Sequence, residues 1–99
     1  MWKRAWWRGF NAVQNDEGYV VKFIDRSKGI EYSEGGRFIR VAVETAAADA
    51  DWIVHWRPPK TWLPPYDVES ITDDKNREVK QRIISALEFL KVRFIWADP

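Results

Sequence analysis

Residues 29–45 read GIEYSEGGRFIRVAVET, and this stretch decides the fold. Apolar residues stand at alternate positions on both sides of the Gly35-Gly36 pair. They are Ile30, Tyr32, Ile39, Val41 and Val43. A period of two is typical of a strand that buries one face, and glycine adopts the positive φ of tight turns at no steric cost. The stretch therefore predicts a β-hairpin with strands over residues 29–33 and 37–45.

Two neighbouring segments extend this hairpin into a sheet. Residues 19–24 (YVVKFI) and residues 51–56 (DWIVHW) are rich in β-branched and aromatic residues and alternate in the same way. Residues 46–51 (AAADAD) are either a helical turn or a loose connection, and residues 11–18 are polar. We therefore predict a meander of three strands that a fourth strand continues.

The second half of the chain predicts a connector and a helix. Residues 57–66 (RPPKTWLPPY) hold four of the five prolines, which excludes an interior helix or a central strand there. From Thr72, which suits an N-cap, apolar residues recur at helical spacing up to Leu90. Residues 92–97 (VRFIWA) alternate again and close the sheet. The predicted fold class is α+β: a twisted antiparallel sheet of about 4–6 strands in a meander, packed against one long C-terminal helix, with a closing C-terminal strand.

Composition limits the classes of protein to which the chain can belong. Its 99 residues are 45% hydrophobic and 31% charged, which is typical of a single globular domain over residues 1–99. Residues 1–17 are either a first strand or partly mobile. The absence of cysteine excludes disulfides and thiolate ligands, and no apolar run has the length of a signal peptide or a membrane span. We expect a cytoplasmic protein.

Signatures of catalysis are missing from the sequence. His55 is the single histidine, and a histidine between Val54 and Trp56 in a strand is more often a surface or packing residue than a general base or a metal ligand. The five glycines spell no phosphate-binding loop. We expect no catalytic residues, no metal ion and no cofactor.

Seven tryptophans are the most unusual feature of the composition. The first three are interleaved with basic residues in a segment made of Trp2, Lys3, Arg4, Trp6, Trp7 and Arg8. Rings and basic charges together can stack on bases and neutralise phosphates, or lie at a membrane interface. They can also form a first strand whose rings pack on the sheet. The strand is favoured, because only four basic residues precede Arg26.

Trp62 and two acidic stretches supply the candidate partner-binding residues. Trp62 lies between two proline pairs, where it is either an exposed anchor for a partner or a lid over the sheet and helix. The acidic stretches precede the fourth strand and the helix. The candidates are Glu44, Asp49, Asp51, Trp62, Asp67 and Glu69. If both stretches meet at one end of the sheet, they form a negative rim that attracts a basic partner.

The order of these signals resembles small bacterial immunity proteins of polymorphic toxin and contact-dependent inhibition systems. The likeness covers about residues 30–96. It is carried by the glycine hairpin with Arg37, the strand that ends at Glu44, the Trp62-x-Pro64-Pro65 turn, and the helix stripe through Ile83, Ile84 and Leu87. The resemblance implies a non-enzymatic cytoplasmic protein that binds and neutralises one cognate protein toxin. The alternative is a small nucleic-acid-binding domain that uses the Trp/Arg-rich start, and the oligomeric state is left open.

Overall fold

A computed structural model describes residues 2–7, 10–24, 29–45, 52–91 and 93–98. These residues form seven strands and one helix. In chain order they are β1 (Trp2–Trp7), β2 (Phe10–Asn15), β3 (Val20–Ile24), β4 (Gly29–Glu34), β5 (Arg37–Thr45), β6 (Trp52–His55), α1 (Asp73–Phe89) and β7 (Phe94–Ala97). The predicted α+β class is confirmed, and so are the bounds of β5.

The seven strands form a single sheet in the order β1-β2-β3-β4-β5-β6-β7. Neighbouring strands from β1 to β6 are antiparallel, whereas β7 pairs with β6 in parallel, with Trp52 opposite Phe94. Two expectations were therefore wrong: the strands outnumber the expected range, and the sheet is mixed. The closing strand is parallel because α1 lies between β6 and β7 and returns the chain to the end of the sheet at which β6 begins.

One face of the sheet, the covered face, packs against α1. Cross-strand neighbours share a face in an antiparallel sheet, and the predicted apolar positions of β3, β4, β5 and β6 all lie on this one. The buried cluster consists of Trp2, Val13, Val21, Phe23, Ile30, Tyr32, Ile39, Val41, Val43, Val54, Trp56, Trp62, Ile71, Val79, Ile83, Ala86 and Leu87. The helix contributes Val79, Ile83, Ala86 and Leu87, so the predicted stripe is confirmed.

The ends of α1 follow from its sequence. Thr72 is the N-cap, and its Oγ1 accepts a hydrogen bond from the backbone N of Lys75 at 3.1 Å. Two aspartates stand in the first turn, where a negative charge suits the helix dipole. The helix ends at Phe89 with Leu90 as C-cap. In the described part of the chain, no helix has the length and apolarity that a membrane crossing requires.

From Lys60 onward, the proline-rich connector is part of a loop that closes on itself at Ile71. Its two ends are joined, since the backbone N of Ile71 donates to the carbonyl of Lys60 at 2.8 Å and Thr61 forms a β-bridge with Ser70. We call residues 60–71 the connector loop. Both ends turn inward because Trp62 and Ile71 are apolar. Their side chains pack in the core and are only 5% and 8% exposed.

The connector loop lies beside the first half of β5. β6 pairs only with the second half of that strand, from Ala42 to Thr45. Where β6 is absent, the backbone N of Leu63 donates to the carbonyl of Phe38 at 3.0 Å. The loop thus occupies the place of a neighbouring strand, with Trp62 on the covered face and Leu63 directed away from it.

Candidate protein-binding surface

A second set of contacts holds the connector loop from the side of the β4–β5 hairpin. Arg37 donates from Nε to Glu69 Oε2 at 2.6 Å and from Nη2 to Glu69 Oε1 at 2.8 Å. The same guanidinium lies 4.4 Å from the centre of the Tyr66 ring. The hydrogen bonds from Arg37 lower the pKa of Glu69. The connector loop is therefore ordered, because two buried side chains and a bidentate ion pair hold it in place.

The outer side of the connector loop exposes apolar side chains. Val68 is 87% exposed and Leu63 is 36% exposed, and Asp67 between them is exposed too. Single exposed apolar residues are common on protein surfaces. Here, however, they project from one fixed loop. An ordered loop that presents apolar side chains can bind a protein surface at low cost in conformational entropy.

Trp62 has the second of its two predicted roles. With 5% of its surface exposed, the side chain is a lid over the core, and it does not form an exposed anchor. The exposed large apolar residues of the loop are its neighbour Leu63 and the more distant Val68, and neither was among the predicted binding residues. A signal for Leu63 was present, because adjacent residues of an extended segment point in opposite directions. A buried Trp62 therefore predicts an outward Leu63.

The predicted acidic rim does not form among the described residues. Glu69 pairs with Arg37 at the start of β5, whereas Glu44 lies near the end of the same strand. Seven residues of extended chain separate Arg37 from Glu44 by roughly 23 Å. Asp67 is exposed on the connector loop, while Asp49 and Asp51 lie outside the described residues. Whether the two acidic stretches meet was left open by the sequence. Of their described members, Glu44 lies near the end of β5 and Glu69 lies beside its start.

His55 lies on the face of the sheet opposite α1, which we call the open face. Its Nε2 is hydrogen-bonded to Oε1 of Glu44 on the neighbouring strand. Both side chains are accessible to solvent, at 29% for His55 and 63% for Glu44. Among the described residues, no group of three or more histidine, aspartate or glutamate side chains is placed to hold a metal ion.

The Trp/Arg-rich start is the first strand of the sheet. Trp2 is 9% exposed, and its Nε1 donates to Ser85 Oγ on α1 at 2.8 Å. This ring is therefore part of the core and has little surface left to stack on a nucleic-acid base. Lys3 is exposed, 3.9 Å from Asp16. Arg4, Trp6 and Trp7 belong to β1, but their side chains are outside the described set, and Arg8 lies outside the described residues altogether.

A network of charged and phenolic groups joins α1 to the sheet beside the connector loop. Arg82 donates to the Tyr32 hydroxyl at 2.8 Å and to Glu34 at 3.2 Å, and it also contacts Glu78. Burial raises the pKa of Tyr32. As a result of these contacts, the side chain of Arg82 is only 17% exposed.

A cleft of about 320 Å³ separates this network from the connector loop. Its charged lining residues are already paired, since Lys75 donates to Glu34 at 3.3 Å and Arg37 binds Glu69.

Comparison with known proteins identifies no relative: no protein-family model, curated protein or solved structure matches this chain. The surface must be interpreted from its own geometry.

Proposed function

We propose that this chain is a non-catalytic binding protein of the immunity type, which binds one cognate bacterial toxin and blocks it. The observation that carries the proposal is the connector loop, which is fixed by Trp62, Ile71 and the Arg37–Glu69 pair while Leu63 and Val68 face solvent. An ordered loop of this kind suits a protein partner because little flexibility is lost on binding. Two residues that carry the resemblance, Arg37 and Trp62, hold this loop.

Inhibition of this type needs no chemistry from the binding protein. A stable interface buries about 800 Å² on each partner. A bound protein that covers this area blocks the active site of a small toxin by contact alone. The connector loop is too small to supply the whole area. The neighbouring residues of the open face therefore belong to the same surface.

Coexpression with the product of the gene immediately upstream tests the proposal. We expect the chain to restore growth of cells that express that product and to copurify with it. A chain that does neither would contradict the proposed function.

A matched pair of variants locates the surface in the same assay. Val68→Asp places a charge on the most exposed apolar residue of the connector loop, and we expect it to abolish growth rescue while the free energy of unfolding changes by less than about 0.5 kcal/mol. Gln81→Glu adds the same charge at an exposed position of α1 and should rescue growth as the unaltered chain does. Equal rescue by both variants would remove the connector loop from the interface.

A further inference from the structure

Two arginines of β5 differ in what their guanidinium groups contact. Arg37 uses two nitrogens to bind Glu69. Arg40, on the open face, donates only from Nε, to Glu31 Oε2 at 3.4 Å. Its side chain is 68% exposed, and among the described residues its two terminal Nη groups have no acceptor. Glu31 is also 3.9 Å from Lys22, so this one carboxylate serves two cations.

Arg40 stands on the rim of a cleft between the open face and the connector loop. The cleft has a volume of about 250 Å³ and is lined by Glu31, Phe38, Arg40, Leu63 and Pro64. Its walls are held together by the hydrogen bond from the backbone N of Leu63 to the carbonyl of Phe38. Phe38, Leu63 and Pro64 supply the apolar part of the lining, and Glu31 and Arg40 supply charged groups. We call this site the Arg40 cleft.

We infer that the Arg40 cleft receives an apolar side chain of the partner together with a neighbouring carboxylate, which the two Nη groups of Arg40 bind. The inference rests on the proposed function and specifies the chemistry of the partner. A guanidinium matches a carboxylate in a planar, bidentate arrangement, and the unused donors of Arg40 point to this anion. The volume of the cleft and its apolar wall of Phe38, Leu63 and Pro64 suit one aromatic or large aliphatic side chain. The partner surface is therefore acidic at this point, the opposite of the basic partner that an acidic rim would attract.

A small probe tests the cleft without the partner. N-acetyl-L-phenylalanine carries an aromatic side chain beside a carboxylate, and its amide has the same shape without the charge. In a ¹H–¹⁵N NMR titration at low salt, we expect the acid to shift the backbone signals of Phe38, Arg40 and Leu63. The amide and acetate alone should each bind about five- to tenfold more weakly than the acid.

Variants of the two exposed arginines supply the control. Arg40→Gln should reduce the affinity for the acid about five- to tenfold and bring it to that of the amide. Arg77→Gln, at an exposed position of α1, should leave the affinity unchanged. Equal binding of acid and amide by the unaltered chain, equal loss in both variants, or shifts confined to other strands would each overturn the inference.

The same variants separate this inference from the proposed function. If the upstream product binds the unaltered chain, Arg40→Gln should raise the dissociation constant at least about fivefold, and Arg40→Lys, which keeps the charge but loses the fork, should give an intermediate value. Binding of that product equally by all three proteins would overturn the Arg40 cleft and leave the proposed function intact. If the upstream product fails to bind the unaltered chain, the proposed function fails, and the probe titration still decides whether the cleft takes a carboxylate.

Discussion

The two faces of the sheet are built from the same strands but have different chemistry. The covered face is a continuous apolar layer under α1, from Trp2 at one edge to Trp56 near the other. The open face carries polar pairs instead, such as Arg40 with Glu31 and His55 with Glu44. The connector loop contributes to both, with Trp62 inside and Leu63 outside. Stability therefore depends on the covered face, whereas the proposed function assigns recognition to the open face and the connector loop, and substitutions should separate the two.

The largest effect on stability is expected at the inward side of the connector loop. Trp62→Ala removes a large ring that is 5% exposed, and we expect the free energy of unfolding to fall by about 3–5 kcal/mol in urea denaturation. Leu63→Ala, at the next position, should change it by less than about 1 kcal/mol. Similar losses in the two variants would break the distinction between the faces.

A second, smaller loss is expected where α1 meets the covered face. Arg82→Met leaves the Tyr32 hydroxyl without its cationic partner and leaves Glu34 with Lys75 alone, and because Arg82 is only 17% exposed we expect a loss of about 2–3 kcal/mol. Arg77→Met removes an exposed ion pair with Asp74 and should cost less than about 0.5 kcal/mol. Thermal denaturation of both variants measures the difference. If Arg82→Met were as stable as Arg77→Met, the network would be solvated.

The next loss of stability is expected in the first strand, β1. Trp2→Phe keeps an aromatic ring in the core but removes the hydrogen bond from Nε1 to Ser85, so the free energy of unfolding should fall by about 1 kcal/mol. Ser85→Ala in the same background should then cost nothing further, because the two residues act as a pair. Additive losses in the double variant would mean that β1 is not joined to α1 in this way.

The smallest effect is a dependence on pH at the Arg37–Glu69 pair. The pKa of Glu69 is lowered in the folded chain, so its contribution to stability is present above the ordinary glutamate pKa and disappears as the pH falls through the lowered value. Glu69→Gln should therefore be less stable than the unaltered chain at pH 7, and the two should converge as the pH falls from the ordinary glutamate pKa through the lowered one. Glu88→Gln, at an exposed position of α1, is the control. A difference in stability between Glu69→Gln and the unaltered chain that stays constant with pH would contradict the account.

Much of the fold follows from local patterns. The alternation in β5 and the helical stripe through Val79 and Ile83 predicted which residues are buried, because burial of one face leaves a clear period in the sequence. β2 was missed because its only large aliphatic residue is Val13, in the sequence FNAVQN, and a strand stabilised by neighbours on both sides needs few apolar residues. The parallel pairing of β7 depends on the path of α1, which a pattern within six residues does not encode.

The candidate surface was less predictable than the fold. An acidic rim depended on two loops meeting, and among the described residues β5 places Glu44 at the end opposite to Glu69. Arg37 and Arg40 look alike in the sequence, yet one finds Glu69 in the connector loop and the other keeps its terminal donors. Such differences arise from contacts between distant segments, 32 residues apart in the case of Arg37 and Glu69, so a sequence alone could not have distinguished the two arginines.

Backbone amide hydrogen–deuterium exchange in the presence and absence of the upstream product tests the central claim most directly. The account predicts that binding slows exchange in residues 60–71 and around Arg40 on β5, and leaves the exchange of β1 and β2 unchanged. Protection confined to β1 and β2 would contradict it, because the interface would then lie on the Trp/Arg-rich start and not on the connector loop.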